Sequence, residues 1–116
     1  MTLKSSKSIR DRTVTLATQA FETQSEAASF LAISPRTLSR RLETAEFEMG
    51  ERLKLEMLGS VLELALKTFP NEETATRWLK TPRPSFNNKT PLQLLDSVPG
   101  YERVKSELIG HVYGMF

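Results

Sequence analysis

Apolar residues recur every three or four positions along most of this chain, so the pattern predicts helices rather than strands. Val14, Ala17, Ala20 and Phe21 mark a short amphipathic helix over residues 13–21. Ala28, Phe30 and Leu31 mark a second, opened by Thr23 with Glu26 three residues on, the signature of a capping box. Leu38 and Leu42 mark a third. After an acidic link over 43–48, Gly50 reads as a break before the longest pattern, residues 51–69. There Leu55, Leu58, Leu62, Ala65 and Phe69 step by three and four, with Met57, Val61 and Leu64 as a second stripe. A helix apolar on two faces must be covered on both, by the rest of the chain or by a second protomer.

Pro70 ends that helix, and Asn71 caps the next, Glu72 to Leu79, anchored by Trp78 and Leu79. Residues 80–89 form a loop stiffened by Pro82 and Pro84 and pinned by Phe86. Thr90-Pro91 opens another helix, with Leu92, Leu94 and Leu95 inside. Pro99-Gly100 reads as a second break. The last helix runs from Tyr101 to Tyr113, with Tyr101, Val104, Leu108 and Val112 on one face and Ile109 alongside, and Gly114 stops it. The fold class is all-α.

The segment Ala28 to Leu42 has the shape of a helix-turn-helix. The small Ala32 sits at the corner, Ile33 plugs it, and Ser34 offers an N-cap hydroxyl before Pro35. Leu38 and Leu42 point inward, which leaves Arg36, Thr37, Ser39, Arg40 and Arg41 on the other faces. A second helix of this kind lies in the DNA major groove, its N-terminal residues on base edges and its arginines on guanine or phosphate. Ser34, Pro35, Arg36, Thr37, Ser39, Arg40 and Arg41 are the candidate DNA-binding residues. An ordinary helical hairpin with a solvated basic face is the plainer alternative.

Charge sharpens that reading. The net +2 over 116 residues conceals +4 on residues 1–42, −4 on 43–79 and +2 on 80–116. Positive charge thus collects on the helix-turn-helix, as a phosphate-facing module requires. Residues 1–12 form a polar, basic arm and 13–50 the DNA-binding region, followed by the central helix at 51–69. There is no cysteine, which excludes disulfides and thiolate metal sites and suits a cytoplasmic protein. No apolar run reaches transmembrane length, so no membrane association is expected.

The C-terminal half resembles a known family. Phe69, Ala75, Trp78-Leu79, Pro82, Pro84, Thr90-Pro91-Leu92, Leu95, Gly100, Val104, Leu108 and Gly114 fall in the order of the toxin-binding domain of the Xre/MbcA/ParS antitoxins. Ile33 to Leu38 and Arg40-Arg41-Leu42 resemble the same family's helix-turn-helix, so the resemblance spans residues 13 to 116. Phe86-Asn87-Asn88 departs from the family, where a glycine is frequent. The resemblance implies a type II antitoxin, with residues 70–116 binding and blocking a RES-domain toxin, an enzyme acting on NAD. It also implies repression of its own operon through operator DNA; apart from the resemblance, a homodimer is expected because helix-turn-helix proteins usually read paired half-sites and the central helix carries two apolar stripes. With the resemblance, Tyr113, Gly114, Met115 and Phe116 are expected at the toxin's active-site mouth, with Arg103, Lys105 and His111 around the rim.

No catalytic constellation accompanies these features. His111 is the single histidine, and the chain has neither a glycine-rich phosphate loop nor a cluster of metal ligands. No enzyme activity, cofactor, metal or small-molecule substrate is expected. Two other readings compete: a dimeric helix-turn-helix regulator with a C-terminal sensing or dimerisation domain and no toxin, and an interaction module that has lost DNA binding.

Overall fold

The computed structural model describes residues 21–112. The basic arm, the predicted helix over 13–21 apart from Phe21, and Tyr113 to Phe116 lie outside the described residues. Within them the chain is all-α: α1 (Gln24–Leu31), α2 (Pro35–Thr44), α3 (Met49–Thr68), α4 (Glu72–Lys80), α5 (Pro91–Leu94) and α6 (Val98–Val112). A 3-10 turn spans Pro84–Phe86, and an isolated bridge between Arg83 and Lys89 closes the loop that carries it.

The helices start where short polar side chains satisfy their first amides. Thr23 Oγ1 accepts from the Glu26 N–H at 3.2 Å, Ser34 Oγ from Thr37 at 3.1 Å and Asn71 Oδ1 from Thr74 at 2.8 Å. Thr90 and Gln93 form a full capping box, each side chain accepting from the other's backbone N–H. Each such cap contributes about 1 kcal/mol. Pro35 and Pro91 each take the first helical position, where no N–H is needed.

Two expected breaks are not breaks. Gly50 sits inside the first turn of α3, which begins at Met49. Pro99 and Gly100 sit inside the first turn of α6, which begins at Val98. In a first turn the amides have no intrahelical partner, so a proline there removes no bond, and Ser97 caps the turn by accepting from the Gly100 N–H at 3.1 Å. Gly100 has a different purpose. A Cβ there would overlap the Leu94 carbonyl oxygen and lie 2.9 Å from its carbon, so α5 and α6 approach too closely for any side chain. Breaks and first turns share the same residues, and sequence pattern alone does not separate them.

The described residues fall into two compact units that divide between Gly59 and Ser60, and α3 gives its first half to one and its second to the other. In the N-terminal unit Ala28, Leu31, Leu38 and Leu55 form the buried cluster, with Phe30, Ile33, Leu42 and Phe47 packed against it. Phe21 stacks on Phe30 with ring centroids 5.3 Å apart. In the C-terminal unit Val61, Leu62, Ala65, Ala75, Leu79, Leu95, Val104 and Leu108 are wholly out of solvent. Leu92 and Leu94, expected inside, are only half-buried.

Both apolar stripes of α3 are largely used up within the chain. Leu55, Met57, Leu58, Val61, Leu62 and Ala65 are buried, and Leu64 is half-buried. No second protomer is needed to cover these positions. The exposed apolar residues of α3 are Met49 and Leu53, on its first two turns. None of the described helices is long and apolar enough to cross a membrane.

Candidate functional site

The N-terminal unit builds a corner. α1 ends at Ala32 in the left-handed region (φ 60°, ψ 39°), where the Ala32 and Ile33 N–H groups bond back to Ser29 and Ala28 carbonyls at 3.1 and 3.0 Å. An alanine in that conformation costs about 1–2 kcal/mol, offset by turning the chain within three residues. Lys54 Nζ donates to the Phe30 carbonyl at 2.5 Å and lies 4.8 Å from the Phe30 ring centroid, bringing positive charge to the negative end of α1. The result is α1 and α2 crossing around Leu31, Ile33 and Leu38, with α2 open to solvent on its far side.

On that open side the candidate residues are not equivalent. Arg36 and Arg40, one turn apart, are exposed with Pro35 and Ser39. The Ser34 and Thr37 hydroxyls bond to each other at 2.9 Å as part of the cap, and Thr37 is half-buried. Ser39 Oγ donates to Gln24 Oε1 at 3.3 Å, tying α2 to the start of α1. Arg41 is the exception. It stands roughly 60° round the helix from the buried Leu38, and its guanidinium turns toward α3.

There Arg41 Nε donates to Glu51 Oε1 at 2.9 Å and its NH2 group to Glu51 Oε2 at 3.2 Å, with Glu48 a further 3.3 Å partner. Glu51 Oε1 also accepts the Glu48 N–H at 3.1 Å, which completes its hydrogen bonding. Glu51 is only 8% exposed, the one buried charged residue among those described. The bond from Arg41 holds the Glu51 carboxyl below its ordinary pKa against the opposing pull of burial, and the same bond raises that of Arg41. Arg41, expected on the exposed basic face with its neighbours, is thus engaged within the unit. Its three-residue spacing from Leu38 and the acids downstream were the available signal.

In the C-terminal unit a second surface forms where the 83–89 loop meets α6. The loop closes on itself through Arg83 N–H to Lys89 O at 3.1 Å and Asn88 N–H to Arg83 O at 2.9 Å. Asn87 and Asn88 take φ of 56° and 64°, the left-handed conformation that asparagine tolerates nearly as glycine does, which explains their presence at the point of departure from the family pattern. Arg83 pairs with Glu107 at 3.2 Å and its guanidinium stacks over Trp78 at 5.1 Å. Ser85 Oγ also donates to Glu107, and Arg103 reaches the Ser85 carbonyl at 2.6 Å while lying over Phe86 at 5.4 Å.

Of the expected rim residues, Arg103 and His111 share one face of α6, two turns apart, with Glu107 between them. His111 is half-buried, packed 5.9 Å from the Phe69 ring and 6.4 Å from Trp78. Lys105 lies elsewhere on the helix, over Tyr101 at 5.0 Å, and is not gathered with them. The pattern overlooked Arg83 and Glu107, which organise this face; the four-residue spacing of Glu107 from Arg103 was the clue. Among the described residues no group of three His, Cys, Asp or Glu is placed to hold a metal ion.

Two capped helices meeting at a corner, the second bearing the exposed Arg36 and Arg40, and a small helical unit with a stapled loop are the architecture these elements define. Residues 64–114 match the family model described as the antitoxin Xre/MbcA/ParS C-terminal toxin-binding domain. The chain is also similar to one in the crystal structure of the M. tuberculosis MbcT–MbcA toxin–antitoxin complex. That likeness has a TM-score of 0.73 at 19% identity and covers 93% of this chain and 96% of the other; it is a likeness of fold. No curated protein matches the chain.

Proposed function

We propose that the chain is the antitoxin of a type II toxin–antitoxin system, in which the C-terminal unit binds and blocks the toxin and the N-terminal unit represses the operon. The observation that carries the first half is the toxin-binding family match over residues 64–114. The likeness to a chain of a toxin–antitoxin complex supports it. The toxin is a RES-domain enzyme acting on NAD, and it meets the α6 face bearing Arg103 and His111 together with Tyr113 to Phe116.

The second half rests on the exposed Arg36, in the first turn of a helix capped by Ser34, and Arg40, one turn further on. They approach guanine edges or phosphates, while Ser34, Pro35, Thr37 and Ser39 shape the helix end that enters the groove. Operator sites of this kind are read in pairs, so the repressor acts as a homodimer. Co-expression with the adjacent open reading frame tests the first half: the two products should co-purify, and growth should be restored. A neighbour that is harmless alone, or that fails to co-purify, overturns the antitoxin reading.

A further inference from the structure

The part-buried Arg41–Glu51 ion pair of the N-terminal unit has no part yet in that function. We infer that Glu51 is a positioning residue for the DNA-reading helix: it grips Arg41 and so sets the angle at which α2 presents Arg36 and Arg40. The inference rests on the DNA-binding reading above.

Three features of the pair argue for orientation rather than mere attraction. The contact is two-pronged, Arg41 Nε and NH2 meeting the two carboxylate oxygens at 2.9 and 3.2 Å, and a planar fork on a planar carboxylate fixes direction as well as distance. It joins the last turn of α2 to the first turn of α3, since Glu51 also accepts the Glu48 N–H at 3.1 Å. Finally, Leu38 and Leu42 are the apolar contacts of α2, and both lie on its inner face. Apolar packing is non-directional and resists rolling of the helix weakly. A directional bond beside Leu38 supplies what the packing lacks. Arg36 and Arg40 project from the opposite side, so a small roll at Arg41 swings their guanidinium groups out of bidentate register with a base edge.

Two roles for Arg41 make opposite predictions. As a phosphate contact it would act through its charge: lysine would serve nearly as well, and removing it would flatten the salt dependence of binding by about one unit. As the partner of Glu51 it acts through its shape: lysine would fail, and the salt dependence would stay.

The test uses the full chain and a fluorescent duplex of the DNA immediately upstream of its own gene, titrated over a range of salt concentrations. Glu51→Gln, near-isosteric, and Arg41→Lys, which keeps the charge but not the fork, should each weaken binding on the order of tenfold with an unchanged salt slope, and the double variant should be no worse than either alone. Arg40→Ala should flatten the slope. Circular dichroism melts and toxin co-purification establish that each variant is folded. A slope reduced in Arg41→Ala but preserved in Arg41→Lys, with Glu51→Gln binding like the wild type, overturns the inference and makes Arg41 a DNA contact. No salt-dependent binding by the wild-type chain overturns the DNA reading itself.

Discussion

The two units of this chain solve the same problem, a stable helical core in fewer than 60 residues, with different materials. The C-terminal unit uses apolar volume: eight side chains wholly out of solvent, and a loop clamped to α6 through Arg83, Glu107, Ser85 and Arg103. The N-terminal unit, among its described residues, has a smaller apolar cluster and a largely covered carboxylate, Glu51, paired with the half-buried Arg41. Burying a charge is costly unless it is fully bonded, and replacing such a pair by apolar residues is often neutral or stabilising. The pairing stabilises the unit at neutral pH, but apolar residues can do the same, so the direction of the bond is what singles out Glu51. One unit is built to be firm, the other to hold a helix at a set angle.

The largest effect should come from hollowing the firm unit. Leu108→Ala removes a side chain with no solvent exposure and should cost about 2–5 kcal/mol, seen as a lower melting temperature and loss of toxin co-purification. Retained toxin binding with an unchanged melt would mean that this core is more plastic than its packing suggests. Next, Arg36→Ala with Arg40→Ala should weaken DNA binding by about 1–3 kcal/mol for each arginine that reads a base edge, with toxin binding intact. Equal loss of both activities would show that the two surfaces are not separable.

Acid should distinguish the units as well. The folded pKa of Glu51 lies below its ordinary value, so its pairing stabilises the N-terminal unit above the ordinary carboxylate range, and that stability is lost as the pH falls through the depressed value. Melts followed by nuclear magnetic resonance should show the amides around Arg41 and Glu51 destabilised below about pH 4. Glu51→Gln should be less stable at neutral pH and nearly indifferent to that acid step. An acid transition of the same size in the variant would assign it to other carboxylates.

The smallest change should be a gain. Asn88→Gly, at φ 64°, relieves a left-handed residue and should stabilise the loop by at most about 1 kcal/mol. A loss would show that the Asn88 side chain has a partner of its own in the working complex.

How legible all this is in the sequence depends on the kind of force involved. The caps at Thr23, Ser34, Asn71 and Thr90 act over three residues, and each appears where its residue type predicts. The helical periodicity, the corner at Ala32 and the pinning role of Phe86 are equally local. What the pattern does not reveal is decided by tertiary approach. Gly50 and Pro99-Gly100 look like breaks until it is known that a first turn leaves its amides free, and Gly100 is needed only because Leu94 comes so near. Arg41 differs from Arg36 and Arg40 locally only in its spacing from Leu38, and the fold is what brings Glu51 to it. Lys105 shares its charge with Arg103, although two residues on a helix point roughly 200° apart.

The shared helix carries a practical lesson about dissection. Because α3 runs from Met49 to Thr68 while the divide falls between Gly59 and Ser60, a cut at the boundary would sever a helix and strand about four carbonyls on one stump and about four amides on the other. Neither fragment would then represent the unit it was meant to isolate. Expression pieces that overlap, one ending after residue 68 and the other beginning before residue 49, each keep the whole rod. A protease added to the intact protein should likewise spare the junction and cut elsewhere first.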